Sequence, residues 1–258
     1  NGGAIRFEQS GSLAIDNTTI TGNVSTSKGG ALFFRSNTGT FSITNSTVSG
    51  NTASSGGAGL FLYNLSAAVT ISQSTISGNS GGSRGGGLFL YKVNAPLTIT
   101  ESTISGNSNA GRGGGIFLYK SSAPGSVSIQ RSTISGNTSG QGGGLFLYRT
   151  NSAIQLENST VSGNAASAGR GGGIYLKGPF GGSHSLDVRS STIASNTASG
   201  SGGNIDGGNS ANTIQLTNSI VSGGSAPSGP DIRSGAATVT ANFSLVQNTS
   251  DATIGGAS

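Results

Sequence analysis

Three observations predict an all-β chain wound as a parallel β-helix, a solenoid of stacked coils. The phrase Ser-Thr-[Ile/Val]-Ser-Gly-Asn recurs along the sequence. The asparagines that close it and its looser copies, Asn23, Asn51, Asn79, Asn107, Asn137, Asn164 and Asn196, lie 28, 28, 28, 30, 27 and 32 residues apart. A second phrase, Gly-Gly-Gly-[Leu/Ile]-Phe-Leu-Tyr, answers it at 85–91, 113–119 and 142–148. Between the two, aliphatic and small polar residues alternate with period two. A fixed period of this size means one supersecondary unit stacked on the next, because a single unit cannot bury its own apolar face. Period-two alternation makes the segments of that unit strands.

Each coil of about 28 residues reads as three strands. In one coil Leu88, Phe89, Leu90 and Tyr91 form the first, and a five-residue turn leads to Leu97, Thr98, Ile99 and Thr100. A corner then leads to Thr103, Ile104 and Ser105. Alternation turns Leu88, Leu90, Leu97, Ile99 and Ile104 inward, and the same slots hold Leu60, Leu62, Val69, Ile71 and Ile76 one coil earlier and Ile116, Leu118, Val127, Ile129 and Ile134 one coil later. Five aliphatic columns result. The corner before each Ser-Thr phrase carries Asn17, Asn45, Gln73, Glu101, Arg131, Asn158, Ser190 and Asn218. Asparagine tolerates the left-handed backbone such a corner can need, and stacked amides can bond along the axis. The triple glycines suit a tight bend or a close backbone approach. Eight to nine coils fit the 258 residues, and at ~4.8 Å per coil they span roughly 40 Å. Helix is excluded by the dominance of Thr, Ser, Gly and β-branched residues. A leucine-rich repeat, the alternative of similar period, fits less well because Ser102 stands where that repeat needs leucine.

Periodicity from end to end places residues 1–258 in a single solenoid domain. The chain begins at Asn1 inside a repeat and without Met, which predicts a processed or excised piece of a longer protein. Cysteine is absent, so disulfides and thiolate metal sites are excluded. No apolar run approaches the 18 or so residues of a membrane-spanning helix. Charged residues are only 8% of the chain, yet the net charge is +5.

The alternation of GGG[I/L][F/Y] with L-x-[I/V]-x-N-S-T-[I/V]-S-G-N resembles the bacterial right-handed parallel β-helix proteins of the choice-of-anchor Q type. GGAI at 2–5 and GGAL at 29–32 are similar, more distantly, to polymorphic outer-membrane protein repeats. The stretch NSIVSGGSAPSGPDI at 218–232, with 243–248 after it, resembles the degenerate last turns that precede a surface anchor in the first group. The chain departs from the outer-membrane repeats in carrying I-x-x-N or V-x-x-N where they have F-x-x-N, and no anchor segment follows the degenerate turns. The resemblance implies a right-handed coil, export, display at the cell surface and an adhesive or structural role.

Polysaccharide-cleaving enzymes also use this fold, and they need converging carboxylates, or clustered acids holding calcium beside a cationic base. The eight acids here, Glu8, Asp16, Glu101, Glu157, Asp187, Asp206, Asp231 and Asp251, are spread along the chain. Glu157, Asp187 and Arg189, with His184 in the longest turn nearby, form the one grouping that adjacent coils bring together, and it reads as solvated surface charge. The expectation is therefore no catalytic residue, no cofactor and no metal. Outward alternation instead points to an exposed aromatic face. Phe33, Phe61, Phe89, Phe117, Phe146 and Tyr175 form one ladder and Tyr63, Tyr91, Tyr119 and Tyr148 a second. Lys28, Arg84, Arg112 and Arg170 border it on one side and Lys92, Lys120 and Arg149 on the other. Such a face predicts self-association, head to tail into a fibre or lateral, with an acidic polysaccharide as the alternative partner. Nucleic acid is not expected, because 13 basic residues are sparse over so long a surface. A column of Thr19, Thr47, Thr75, Thr103, Thr133, Thr160 and Thr192 offers ice binding as a further alternative.

Overall fold

The computed structural model describes residues 1–36, 38–120, 127–150, 153–178 and 183–256. Every strand pairs in parallel with its counterpart one coil away, as in Leu88↔Ile116, Phe89↔Phe117, Leu90↔Leu118 and Tyr91↔Tyr119. The first sheet, represented by Leu88–Tyr91, has nine strands among the described residues, so eight turns separate its first strand from its last. The second sheet, represented by Leu97–Thr100, has ten, and the third, represented by Thr103–Ser105, has nine.

A fourth sheet of seven two-residue strands, such as Ser108–Asn109 and Thr138–Ser139, runs where the sequence indicated only a polar connection. Two residues are too few to display a period. Their inward members are also small or polar, including Ala53, Asn109, Ser139 and Ala166, so no aliphatic signal marked them.

The interior is one aliphatic column set from Ile15 to Val239, with the five predicted inward slots of the central coils fully or nearly buried. Phe34 and Phe41 join it at the slots that hold Leu62 and Val69 in the next coil. The corner residues Asn17, Gln73, Glu101, Arg131 and Ser190 have φ of 46–50°, as the left-handed corner requires. Their side chains are exposed, and some bond along the axis, as Gln73 Nε2 does to Glu101 at 3.2 Å.

The buried amide ladder lies elsewhere, on the closing asparagine of each Ser-Gly-Asn. Asn79 Nδ2 donates to Asn107 Oδ1 at 2.9 Å, and Asn107 Nδ2 donates to Asn137 Oδ1 at the same distance. Eight asparagines (23, 51, 79, 107, 137, 164, 196 and 204) continue this run in one direction. The last donates to the buried carboxylate of Asp231 at 2.8 Å. A carboxylate there meets the N–H ends of the aligned amide dipoles, the favourable sign. A serine ladder runs beside it, with the Ser74 N–H donating to Ser102 Oγ at 3.1 Å. Both ladders satisfy backbone N–H groups at corners, where the strand pattern breaks.

Candidate functional site

The outer face of the first sheet is built from the phrase Gly-Gly-Gly-[Leu/Ile]-Phe-Leu-Tyr. Leucine and isoleucine turn inward, so phenylalanine and tyrosine turn outward and repeat once per coil. The phenylalanines form a cluster separate from the aliphatic interior, which upholds the alternation. They are nevertheless covered, and the expectation that the phenyl ladder is exposed is corrected. Phe33, Phe61, Phe89, Phe117, Phe146 and Tyr175 are 0–5% exposed.

The cover has three parts. Rings stack along the axis, with Phe89 and Phe117 centroids 5.0 Å apart. The tyrosine two residues on lies alongside, Tyr119 being 5.6 Å from Phe117. The glycine corner closes the other side: a Cβ on Gly113, which has φ +65°, would sit 2.7 Å from Phe117 Cβ. That contact gives the first glycine of each triplet its reason. The third has another, since a Cβ on Gly115 would sit 3.1 Å from the Asn137 amide nitrogen.

What the face offers to solvent is therefore the tyrosine column with its cations. Tyr63, Tyr91, Tyr119 and Tyr148 are partly exposed. Their rings stack on one another at 5.2–5.4 Å with interplanar angles of 11–25°, so their faces are largely taken up by their neighbours. Arg35 and Lys177 occupy the tyrosine slot in the flanking coils and cap the column, Arg35 at 5.3 Å from the Tyr63 centroid and Lys177 at 5.0 Å from that of Tyr148. Arg112 and Arg149 also lie over Tyr148, at 5.4 and 5.1 Å. Lys92 and Lys120 lie over their own neighbours Tyr91 and Tyr119. On the glycine side Lys28, Gly56, Arg84, Arg112 and Gln141 align in one row, bridged coil to coil. Arg170 continues that slot just before the next glycine triplet.

Charge is sharply sorted. Nine of the 13 Lys and Arg residues (28, 35, 84, 92, 112, 120, 149, 170 and 177) belong to this strip. The other four, Arg6 and Arg233 at the two ends of the same face and Arg131 and Arg189 away from it, are paired with the carboxylates of Glu8, Asp206, Glu101 and Asp187 respectively. Those are all the salt bridges among the described residues. Lys92, Lys120 and Arg149 also hold φ of 54–55°, where a side-chain-bearing residue costs about 1–2 kcal/mol. Asn64 occupies the same slot one coil before Lys92, so the fold does not demand a cation there.

The acids are otherwise engaged. Asp206 is fully buried at the end of the phenyl ladder, in register with Tyr175. It accepts from Ser201 Oγ at 2.5 Å, the Gly208 N–H at 2.8 Å and Arg233 Nη1 at 3.2 Å. Burial first, and then this neighbouring charge, hold the Tyr175 phenol above its usual range. Asp231 accepts from Asn204, Gly224 and Asn248. Neither end-cap was foreseen from the sequence.

Glu157, Asp187 and Arg189 do come together on the second sheet, Glu157 in register with Arg189. Arg189 grips both oxygens of Asp187, at 2.7 and 3.1 Å. His184 does not join them. It is buried against Thr150 Oγ1 at 3.1 Å, and burial lowers its pKa to about 4. Among the described residues no three His, Cys, Asp or Glu side chains gather as metal ligands.

A repeat-built, all-β coil with one ordered, cation-lined strip is the class that fold and candidate site define. The chain belongs to the right-handed beta helix family, whose model matches residues 1–161. The remaining coils continue the first three sheets, and the fourth ends at Thr197–Ala198. Searches of curated proteins and of solved structures gave no match. No helix among the described residues is long and apolar enough to cross a membrane.

Proposed function

We propose that this protein is a non-catalytic extracellular module, adhesive or structural, that holds an acidic polysaccharide lengthwise along the tyrosine and cation strip. The observation that carries this reading is the pattern of charge: nine cations line the tyrosine column, while the other four, Arg6 and Arg233 at the two ends of the same face and Arg131 and Arg189 away from it, are each paired with an acid. Six coils, from that of Arg35 to that of Lys177, make a strip about 24 Å long at ~4.8 Å per coil. A linear polymer with regularly spaced anionic groups matches such an array. Recognition rests on charge and on hydrogen bonds to the phenol hydroxyls, because the stacked ring faces leave little for sugar stacking. Extracellular placement rests on the resemblance to surface-displayed coils. The non-catalytic reading rests on the acids: Asp206 and Asp231 are buried, and of the two that meet on the second sheet, Glu157 and Asp187, the latter is held by Arg189.

With the phenyl rings covered, lateral self-association would rest on the tyrosine column alone. The test is retention in native gels containing polygalacturonate, at low and high salt. Wild type is expected to be retarded, and salt is expected to abolish the effect. Arg112→Gln with Arg149→Gln should weaken retention roughly tenfold. Wild-type migration unchanged by the polymer would end the proposal.

A further inference from the structure

On the second sheet, the outward columns are short-armed through the early coils: Ser42, Thr70, Thr98 and Ser128 align in register. At the next three coils the column changes to Gln155, Asp187 and Gln215, then returns to Thr240. The strands lengthen there as well, from the four residues of Val127–Gln130 to the five of Ala153–Glu157, Ser185–Arg189 and Thr213–Thr217. A cleft of about 280 Å³ opens at the change, lined by these three side chains with Ser185 and Thr213. Nothing in the fold requires long arms at a slot that serine and threonine fill elsewhere.

We infer that this cleft is a second binding site, for a neutral, hydroxyl-rich saccharide. Neither the Gln155 nor the Gln215 amide has a partner among the described residues, so each brings both a donor edge and an acceptor edge to the cleft. Between them Asp187 is held in place by Arg189, which fixes an acceptor in advance of binding and lowers the ordering cost. A carboxylate flanked by two amides complements a run of sugar hydroxyls. The sign of the charge selects against the polymer of the other face, because Glu157 and Asp187 outnumber Arg189 here. Three coils span about 10 Å, room for two or three sugar units. With the cationic strip on a different sheet, one module then bridges two chemically distinct polymers, the behaviour of a matrix cross-linker.

The experiment is native gel retardation in hydroxyethylcellulose, galactomannan and soluble starch, with polygalacturonate run in parallel. At least one neutral polymer is expected to retard the wild type, with little change in high salt. Gln155→Thr with Gln215→Thr, which restores the residue type of Thr98 and is expected to keep the melting temperature, should reduce that retardation at least tenfold and leave retention by polygalacturonate unchanged. Arg112→Gln with Arg149→Gln should do the reverse. Wild type running freely through all three neutral polymers overturns the inference, as does retardation that the glutamine double variant keeps. Loss of polygalacturonate binding alone bears only on the strip.

Discussion

Replacing Asn107 by alanine tests whether the amide ladder is a structural necessity of the coil. The Asn107 side chain accepts from the Asn79 N–H at 3.0 Å and from Asn79 Nδ2 at 2.9 Å. It donates to the Ile76 carbonyl at 2.9 Å and to Asn137 Oδ1 at 2.9 Å. All four bonds are buried. Asn137 Oδ1 still accepts from the Asn107 backbone and Asn79 Nδ2 still reaches the Val48 carbonyl, so the Asn79 N–H is the group left with nothing. Four bonds at ~1 kcal/mol each, with an added penalty for that orphan, give a loss of about 4–6 kcal/mol. Urea unfolding followed by far-ultraviolet circular dichroism measures it, with Thr98→Ala on the outer surface as the reference. A loss below about 1 kcal/mol would refute the reasoning, since water would then be replacing the ladder at no cost.

Four further outcomes follow from the same structure. Phe89→Ala should cost about 3–5 kcal/mol in the same assay, because the ring is 2% exposed; an effect typical of the surface would return the ring to solvent. Gly113→Ala should destabilise by more than the ~1 kcal/mol of a left-handed alanine, since its Cβ would also meet the Ile116 carbonyl oxygen at 2.6 Å; calorimetry checks this. His184 has a pKa of about 4 when folded, against 6.5 when free, so between those values the unfolded chain binds the extra proton. Stability is complete above pH 6.5 and falls as pH drops toward 4, by roughly 3 kcal/mol at about 1.4 kcal/mol per pH unit. His184→Gln should flatten that part of the urea midpoint against pH profile. Finally, Asn204→Gly and Gly224→Asn should each destabilise while the double variant recovers only part of the loss, because a Cβ at 224 would still press on the Pro230 carbonyl oxygen; a double-mutant cycle reads the coupling.

The last of these shows what the sequence carried and what it concealed. In the central coils the third glycine of the triplet faces the closing asparagine, as Gly115 faces Asn137. One coil exchanges the pair. Asn204 stands in the glycine position and Gly224 in the asparagine position, where a Cβ on Gly224 would press on the Pro230 carbonyl oxygen and lie 2.8 Å from Asn204 Nδ2. The ladder continues unbroken, with Asn196 Nδ2 donating to Asn204 Oδ1 at 2.8 Å. In the sequence, Ser-Gly-Gly at 222–224 looks like decay of the motif; in space it is a compensated swap.

Inward columns, register and left-handed corners were legible because period two and the coil length fix them. The direction of the phenyl rings was legible for the same reason. Their burial was not, because exposure depends on what lies beside a strand as well as on which way it faces, and the glycine corner that closes over Phe117 has no side chain to announce it. Nor does spacing reveal that Arg189 would clasp Asp187 while Arg112, Arg149 and Lys177 converge on Tyr148. That difference marks the candidate strip, and it arises from which slots of the coil the eight acids fill.

A crystal structure of the protein with an oligogalacturonate bears most directly on the central claim. The account predicts the sugar chain running along the axis over Tyr91, Tyr119 and Tyr148, with carboxylates within about 4 Å of the Arg112, Arg149 and Lys177 side chains. Density for the acidic chain on another sheet, or none on the strip at saturating ligand, would contradict it.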